Sequence, residues 1–370
     1  MQKFVEHFIF RPNPCLNLLE VLFLYPFEGP AQILSRIILI IHERGRIILE
    51  KRDIPKGPEP MAIDIIEQHI YDISPELLDI LLQDKTTGKR IKWATDNYRK
   101  YGEEYGQADE ITPDLITGRN TFIIQPRVSK ALIEQTKRTR DKAEVFTPSW
   151  VCNEQNNLVD EAWFGYKGAF NQSRDKAWTV NHTPVRFPEG KTWHAYVDAR
   201  RMEVSCGEAP YLVSRYDTVT GKPIPIERRI GLLDRKLRIV DENTDTADEW
   251  MKWALRAFQS VYAYEFQGDS LLLARENLLY TFLENYHRRF KEKATVPQAK
   301  KIANVIAWNV WQMDAFTSLP PYAEEETSFM QFTLFDSEND KKTTAKPCRI
   351  FDWRSNESLE FRSLLNGGKS

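Results

Sequence analysis

The sequence predicts an α/β fold built on a substantially parallel sheet, with a helical N-terminal region in front of it. Three observations carry that expectation. From Trp193 onward, short β-rich runs alternate with longer amphipathic stretches, the order that parallel strands and helical crossovers produce. One run enters an abrupt turn, EVSCGEAPYL at 203–212, whose small residues Cys206, Gly207 and Ala209 let backbone approach a ligand. Apolar residues make up 42% of the chain and aromatic residues 12%, enough for a packed core and far from a disordered composition.

At 370 residues the chain has room for two domains, or for one large domain with an adjunct. The stretch 15–41 is apolar-rich, but Glu20, Pro26, Glu28, Gly29, Pro30 and Arg36 interrupt it. No uncharged apolar run of about 18 residues remains, so no membrane span is expected. Neither a basic start nor a small-residue cleavage site marks a signal peptide. Composition changes at KRDIPKGPEP, residues 51–60, so residues 1–60 are expected to be an adjunct or an upstream extension, with Met61 the alternative start.

Residues 61–142 form the expected helical region. Ile63, Ile66, Ile70, Leu77, Leu78 and Leu81 follow approximate helical spacing, and Ser74-Pro75-Glu76 reads as a cap and first turn of a second helix. DKTTGK at 84–89 is a turn, ITPDLITGRN reads as loop, and 128–142 reads as a basic helix. The main domain is expected over 143–354. It opens with a helix from Trp150 to Trp163, and a loop-like stretch follows at 164–192. Residues 193–206 read as a hairpin or strand ending at the turn. A helix then passes into a strand at Val261–Phe266, and 271–290 is the clearest amphipathic helix. Residues 301–314 open with the signature of a buried strand, and 355–370 form a tail.

The formal net charge is −2, so no global positive excess advertises nucleic acid. A local basic stretch (Lys130, Lys137, Arg138, Arg140, Lys142) is either a solvated helix face or a phosphate-facing one. Cys15, Cys152, Cys206 and Cys348 are far apart and in no CxxC arrangement, which points to reduced thiols in a cytoplasmic setting. Six scattered histidines add no metal-ligand spacing, so no metal is expected.

The turn and its neighbours resemble the S-adenosylmethionine (SAM) site of adenine-N6 DNA methyltransferases. In 203–212, Glu203, Cys206, Gly207, Tyr211 and Leu212 match that family's Glu/Asp-Pro-x-Cys-Gly-x-Gly-x-Phe-Leu loop in type; Ala209 replaces the last glycine and Val204 the proline. Upstream, Phe146-Thr147-Pro148 matches the family's Phe-Thr-Pro. Glu265 closes VYAYEF where the family places its ribose-gripping acid, Ala274, Arg275 and Asn277 follow on the next helix, and Asp314 resembles the acid that contacts adenine. The resemblance implies a Rossmann-like SAM-binding sheet. Thr147, Pro148, Glu203, Cys206 and Gly207 would line the methionine side, with Glu265 on ribose and Asp314 on adenine. From Glu203 to Glu265 the chain runs about 60 residues, against roughly 20 for one strand–helix–strand step. An insertion at about 214–248 is therefore expected, with Arg215, Arg228, Arg229, Arg235 and Lys236 available to DNA phosphates or to solvent.

The family's catalytic tetrapeptide, Asn/Asp-Pro-Pro-Tyr/Phe, holds a flipped adenine by accepting hydrogen bonds from its amino group. The nearest match is Leu319-Pro320-Pro321-Tyr322, where Leu319 cannot accept a hydrogen bond. Pro320, Pro321 and Tyr322 are thus weak catalytic candidates, and a proline-terminated loop is the competing reading. Ile350–Asp352 begins like the strand that leads into such a motif, yet Trp353-Arg354-Ser355-Asn356 follows. The expectation is a split modification subunit of a bacterial restriction–modification or phage-defence system. Its partners would be DNA and a second methyltransferase, specificity or nuclease chain that supplies the tetrapeptide. The alternatives are a degenerate, non-catalytic DNA-binding or assembly subunit, and a nuclease using Asp198 and Glu203 around a divalent metal.

Overall fold

The computed structural model describes residues 65–130, 147–323 and 345–365. All of them lie in one unit, Met61–Leu365. The N-terminal region contributes α1 (Glu67–Ile73), α2 (Pro75–Leu82) and the single turn α3 (Pro113–Ile116). Helix α4 (Ser149–Phe164) leads to a hairpin of β1 (Asn171–Arg174) and β2 (Ala177–Val180), then α5 (Trp193–Asp198). Strand β3 (Arg201–Val204), helices α6 (Leu232–Asn243) and α7 (Ala247–Gln259), and strand β4 (Val261–Glu265) come next. The chain continues through α8 (Gly268–Phe290), α9 (Val296–Asn309), β5 (Val310–Gln312), β6 (Arg349–Asp352), β7 (Glu357–Glu360) and α10 (Phe361–Leu365). The result is a mixed α/β structure whose largest sheet is three-stranded and parallel, in the order β3-β4-β5.

Register follows the apolar pattern. Glu203 pairs with Ala263, which pairs with Val310, while Val204, Tyr264 and Trp311 form the next row on the opposite face. Strand β4 is apolar or aromatic except at its last residue, as a central strand covered on both sides requires. The Phe361 ring packs against Tyr264 at 6.0 Å and Trp311 at 5.3 Å, so the C-terminal hairpin and α10 cover one face.

Helix α8 is buried along most of its length, from Gly268 through Tyr286. Its Arg275 is fully buried, with Nε donating to the Val310 carbonyl at 2.8 Å and the guanidinium also donating to the carbonyls of Leu81, Gln83 and Ala307. One side chain thus fastens the C-terminal ends of α2 and α9 to β5, and burial lowers its pKa to about 10. Helix α9 begins at a capping box, Thr295 with Gln298, and buries Ala299, Ile302, Ala303 and Ile306. Helix α7 starts at Thr246, whose side chain accepts from the Glu249 amide, and buries Trp250, Ala254, Ala257 and Phe258.

Several expectations change. Residues 301–309 are the second half of α9, not a strand; only Val310–Gln312 is extended. The Ile302/Ala303/Ile306 spacing is helical, and the β-branched content hid it. Residues 193–198 are helical rather than part of a hairpin, started by Thr192 accepting from the Ala195 amide. The loop-like stretch 164–192 contains β1 and β2, joined through Asp175 (φ 50°) and Lys176 (φ 60°), a left-handed pair that no glycine advertises. Strand β6 pairs antiparallel with β7, so Ile350–Asp352 does not extend the parallel sheet. Helix α6, inside the expected insertion, is a buried crossover element with Leu232, Leu233, Leu237, Ile239 and Val240 in the core. Residues 1–60, Phe146, the tail at 366–370 and the basic residues Lys137, Arg138, Arg140 and Lys142 lie outside the described residues. Lys130 is buried and ion-paired with Asp269 at 3.0 Å. No helix among the described residues is long and apolar enough to cross a membrane.

Candidate functional site

The three parallel strands end on one side of the sheet, and the turn after β3 sets the geometry there. Ser205, Gly207 and Ala209 all have left-handed backbone, with φ of 49°, 53° and 62°. Gly207 adopts that conformation without a Cβ penalty, whereas Ser205 and Ala209 hold it at a cost. The folded-back turn donates the Cys206 amide to the Tyr264 carbonyl at 2.9 Å and the Gly207 amide to Glu265 Oε2 at 2.8 Å. Glu265 Oε1 accepts from the Phe266 and Gln267 amides at 2.9 and 3.1 Å. One carboxylate at the end of β4 therefore clamps both its own chain reversal and the turn after β3.

Glu203 does the same inside the turn. Its Oε1 accepts from the Tyr211 amide at 3.3 Å and its Oε2 from the Leu212 amide at 3.1 Å. Burial pushes the Glu203 carboxyl up to about 8, opposed by those two amides and assisted by the nearby Glu265. Burial also raises Glu265, with its three amide donors pulling the other way. Between them, the Cys206 thiol is pushed well above its ordinary value, first by burial and then by both acids. Such a thiol is inert, so Cys206 is a packing residue and not a nucleophile.

The other predicted residues arrive at varying distances from this turn. Thr147 and Pro148 sit against the way out of it: the Thr218 hydroxyl donates to the Thr147 carbonyl at 3.1 Å, and the Ser149 amide to Asp217 Oδ2 at 2.8 Å. Burial raises the pKa of the Tyr211 hydroxyl, with the neighbouring Cys152 and Glu203 adding to the rise and Thr147 opposing it. Asp314 lies just past β5, after the Met313 amide donates to the Glu265 carbonyl at 3.0 Å. Its Oδ1 accepts from the Phe316 and Thr317 amides at 2.7 and 3.0 Å, which makes it the head of a tight Asx-type turn.

Pro320 and Pro321 are buried, and the Tyr322 ring lies 6.1 Å from that of Phe266. The Tyr322 hydroxyl donates to Gln107 Oε1 at 3.2 Å, and Lys92 Nζ donates to the Pro321 carbonyl at 3.4 Å. The Pro-Pro-Tyr loop thus reaches the same strand ends as Glu265, although five residues is too short for a strand between it and Asp314.

Sequence reasoning missed two contributors. Glu208, within the turn, is buried and accepts from the Arg127 amide at 2.7 Å and from the Tyr216 hydroxyl; an acid inside a small-residue turn was the available signal. The segment 91–111 closes over the end of β4. Gln312 clamps it by accepting from the Lys92 amide and donating to the Lys92 carbonyl, both at 2.8 Å, and the Gly268 amide donates to the Trp93 carbonyl at 2.9 Å. A Cβ on Gly268 would stand 2.0 Å from the Lys92 carbonyl oxygen, so only glycine fits. No local pattern announces this contact.

The arginines expected to face DNA are mostly engaged internally. Arg215 and Arg229 both pair with Glu284, Arg235 pairs with Asp160, and Lys236 Nζ is buried against the carbonyls of Val197 and Ala199. Arg228 alone of the five is exposed. Asp198, proposed as a metal-binding acid, is paired with Arg256 and Arg354 instead of meeting Glu203. Comparison with protein-family models, with curated proteins and with solved structures returned no match for this chain.

Proposed function

We propose that this chain is a SAM-binding modification subunit of a bacterial restriction–modification or phage-defence system. In this reading its sheet is one wing of a Rossmann-like fold, and a partner chain supplies the catalytic tetrapeptide for adenine-N6 methylation of DNA. The observation that carries the reading is positional. The turn at 203–212, Glu265 and Asp314 occupy the carboxyl ends of three adjacent parallel strands, where open α/β sheets bind their ligands. Transfer to a neutral amino group needs positioning and the sulfonium charge of the cofactor, so the proposed site has no role for a metal.

One observation favours a second reading, a non-catalytic DNA-binding or assembly subunit with a degenerate methyltransferase fold. Glu203, Glu265 and Asp314 each direct carboxylate oxygens at the protein's own amides, and the Gly207 amide already donates to Glu265. SAM would have to compete with those internal bonds.

Calorimetric titration of the parent chain and of Glu265→Gln with SAM, with and without duplex DNA, separates the two. Binding by the parent that weakens at least tenfold in Glu265→Gln, at an unchanged circular dichroism spectrum, supports the cofactor site. No binding by the parent under either condition leaves the assembly reading. Methylation of DNA at full rate by the lone chain would overturn the split.

A further inference from the structure

The parallel sheet has two edges, and the chain treats them differently. At the β5 edge the outward groups are met by the chain itself. The Val310 amide donates to the Ile306 carbonyl, the Val310 carbonyl accepts from Arg275 Nε at 2.8 Å, and the Gln312 carbonyl accepts from the Cys348 thiol at 3.4 Å. At the β3 edge the Arg201 amide donates to the Ser260 carbonyl at 2.9 Å. That bond turns the main-chain groups of Arg201 and Glu203 towards β4 and those of Met202 and Val204 outwards. Among the described residues β3 pairs with β4 alone, and no hydrogen bond reaches the amide or carbonyl of Met202 or Val204.

The side chains along this edge are open too. Val204, Tyr264 and Trp311 form one row, and the Phe361 ring packs on Tyr264 and Trp311. Val204 stays 42% exposed, and Met202 on the same face is half-buried. On the other face, half-buried Arg201 donates to the Arg200 carbonyl at 3.2 Å and pairs with no carboxylate among the described residues. The acids of the flanking elements are taken, Asp198 by Arg256 and Arg354, and Asp352 by Arg200.

An edge of this kind is a template for another strand. Its outward amides and carbonyls call for extended main chain. The Val204 face calls for apolar side chains, and Arg201 calls for a carboxylate on the alternate face. A second copy of this chain fits poorly. Antiparallel pairing through all the outward groups of Met202 and Val204 would set Glu203 against its own counterpart and give Arg201 no acid.

We infer that the outer edge of β3 is the docking seam for an extended segment of the partner chain, in which acidic and apolar side chains alternate. The existence of a partner rests on the split-subunit reading, whereas the seam rests on the edge itself. An added strand would lie beside the turn at 203–212 that Glu203 and Glu265 clamp.

Fluorescence anisotropy of a labelled peptide of alternating valine and aspartate, titrated with the full chain, reads the seam. Met202→Pro deletes one outward N–H and leaves the β3–β4 ladder its bonds, so it should weaken binding about tenfold at an unchanged circular dichroism spectrum. N-methylation of the peptide tests the same bonds with the protein untouched. Methyl groups on one alternate set of residues should abolish binding, and methyl groups on the other set should not. Arg201→Glu should transfer the preference to a peptide of alternating valine and lysine. SAM titration of Met202→Pro should match the parent, which keeps the two readings apart. SAM binding without peptide binding sinks the seam alone; peptide binding without SAM binding keeps the seam and assigns it to the assembly reading. No peptide binding by the parent, or binding indifferent to both Met202→Pro and N-methylation, overturns the inference. A concentration-dependent dimer that Met202→Pro abolishes gives the edge to a second copy and overturns it as well.

Discussion

Two pairs of buried carboxylates sit in this molecule under opposite regimes. Glu203 and Glu265, at the ends of β3 and β4, are surrounded by backbone amides that donate to them. Glu67, at the start of α1, and Glu276, on α8, face each other in the core with Glu67 Oε1 and both Glu276 oxygens lacking any partner. Burial raises the pKa in both places, to about 8 for Glu67 and for Glu203, and well above the ordinary value for Glu276, where the Glu67 charge adds to burial. The difference lies in what each carboxylate does for its surroundings. The first pair organises a turn that no other group would hold, whereas the second organises nothing and survives by keeping its protons.

The largest test of that contrast is removal. Glu265→Leu would leave the Gly207, Phe266 and Gln267 amides without an acceptor; at about 1–3 kcal/mol for a fully buried orphan, and with the Gly207 and Phe266 bonds only part-buried, the loss should be on the order of 3–5 kcal/mol. Glu276→Leu removes two oxygens that have no partner and should be neutral or stabilising by about 1–2 kcal/mol. Urea unfolding of both variants beside the parent reads the difference directly. Similar losses in the two would break the contrast.

A smaller effect follows from pH. The folded-state pKa of Glu203 and of Glu67 is raised from 4.5 to about 8, so their stabilising contribution is complete below 4.5 and declines as pH rises through 8. Across that window the unfolded chain loses these protons while the folded chain keeps them, so the folded state loses ground. The parent Tm should therefore fall between about pH 5 and pH 8, and Glu67→Gln should flatten the fall. Glu203→Gln should flatten it too, but from a lower starting stability, because an amide side chain cannot accept equally from Tyr211 and Leu212. A parent Tm that rises with pH over this range would contradict both assignments.

The legibility of these regions in the sequence differs for the same reason. Strand β4, helix α8 and the turn at Gly207 were readable because each is dictated locally, by an apolar run, a helical stripe or a residue free to take positive φ. Helix α9 carries a strand-like signature because Ile302, Val305 and Ile306 share β-branched chemistry with strands; its helical spacing competes with that chemistry, and packing against α2, α8 and the sheet adds to the helical side. The positions of Glu265 and Asp314 at strand ends followed from their order along the chain. Their hydrogen bonds did not, because these depend on how sharply the backbone turns at Ser205 and after Asp314. The clasp of Gln312 and Gly268 on segment 91–111 joins residues far apart in sequence, and no pattern in either stretch encodes it.

The finest test uses the thiol that the first pair encloses. Cys206 and Cys348 are both buried, with pKa values raised chiefly by burial, so in the native protein both should resist alkylation by iodoacetamide at neutral pH. Where opening is fast relative to labelling, the residual rate at each cysteine reports the free energy of the opening that exposes it. If Glu265 holds the turn closed, Glu265→Leu should speed labelling of Cys206 more than that of Cys348, because the turn loosens before the C-terminal hairpin does. Glu276→Leu should leave the ratio of the two rates at its parent value, since that carboxylate holds no loop in place. Peptide-resolved mass spectrometry measures both rates in one sample. A ratio that moves equally in the two variants would show that the turn opens only with the whole domain, and that Glu265 contributes to global stability without gating the turn.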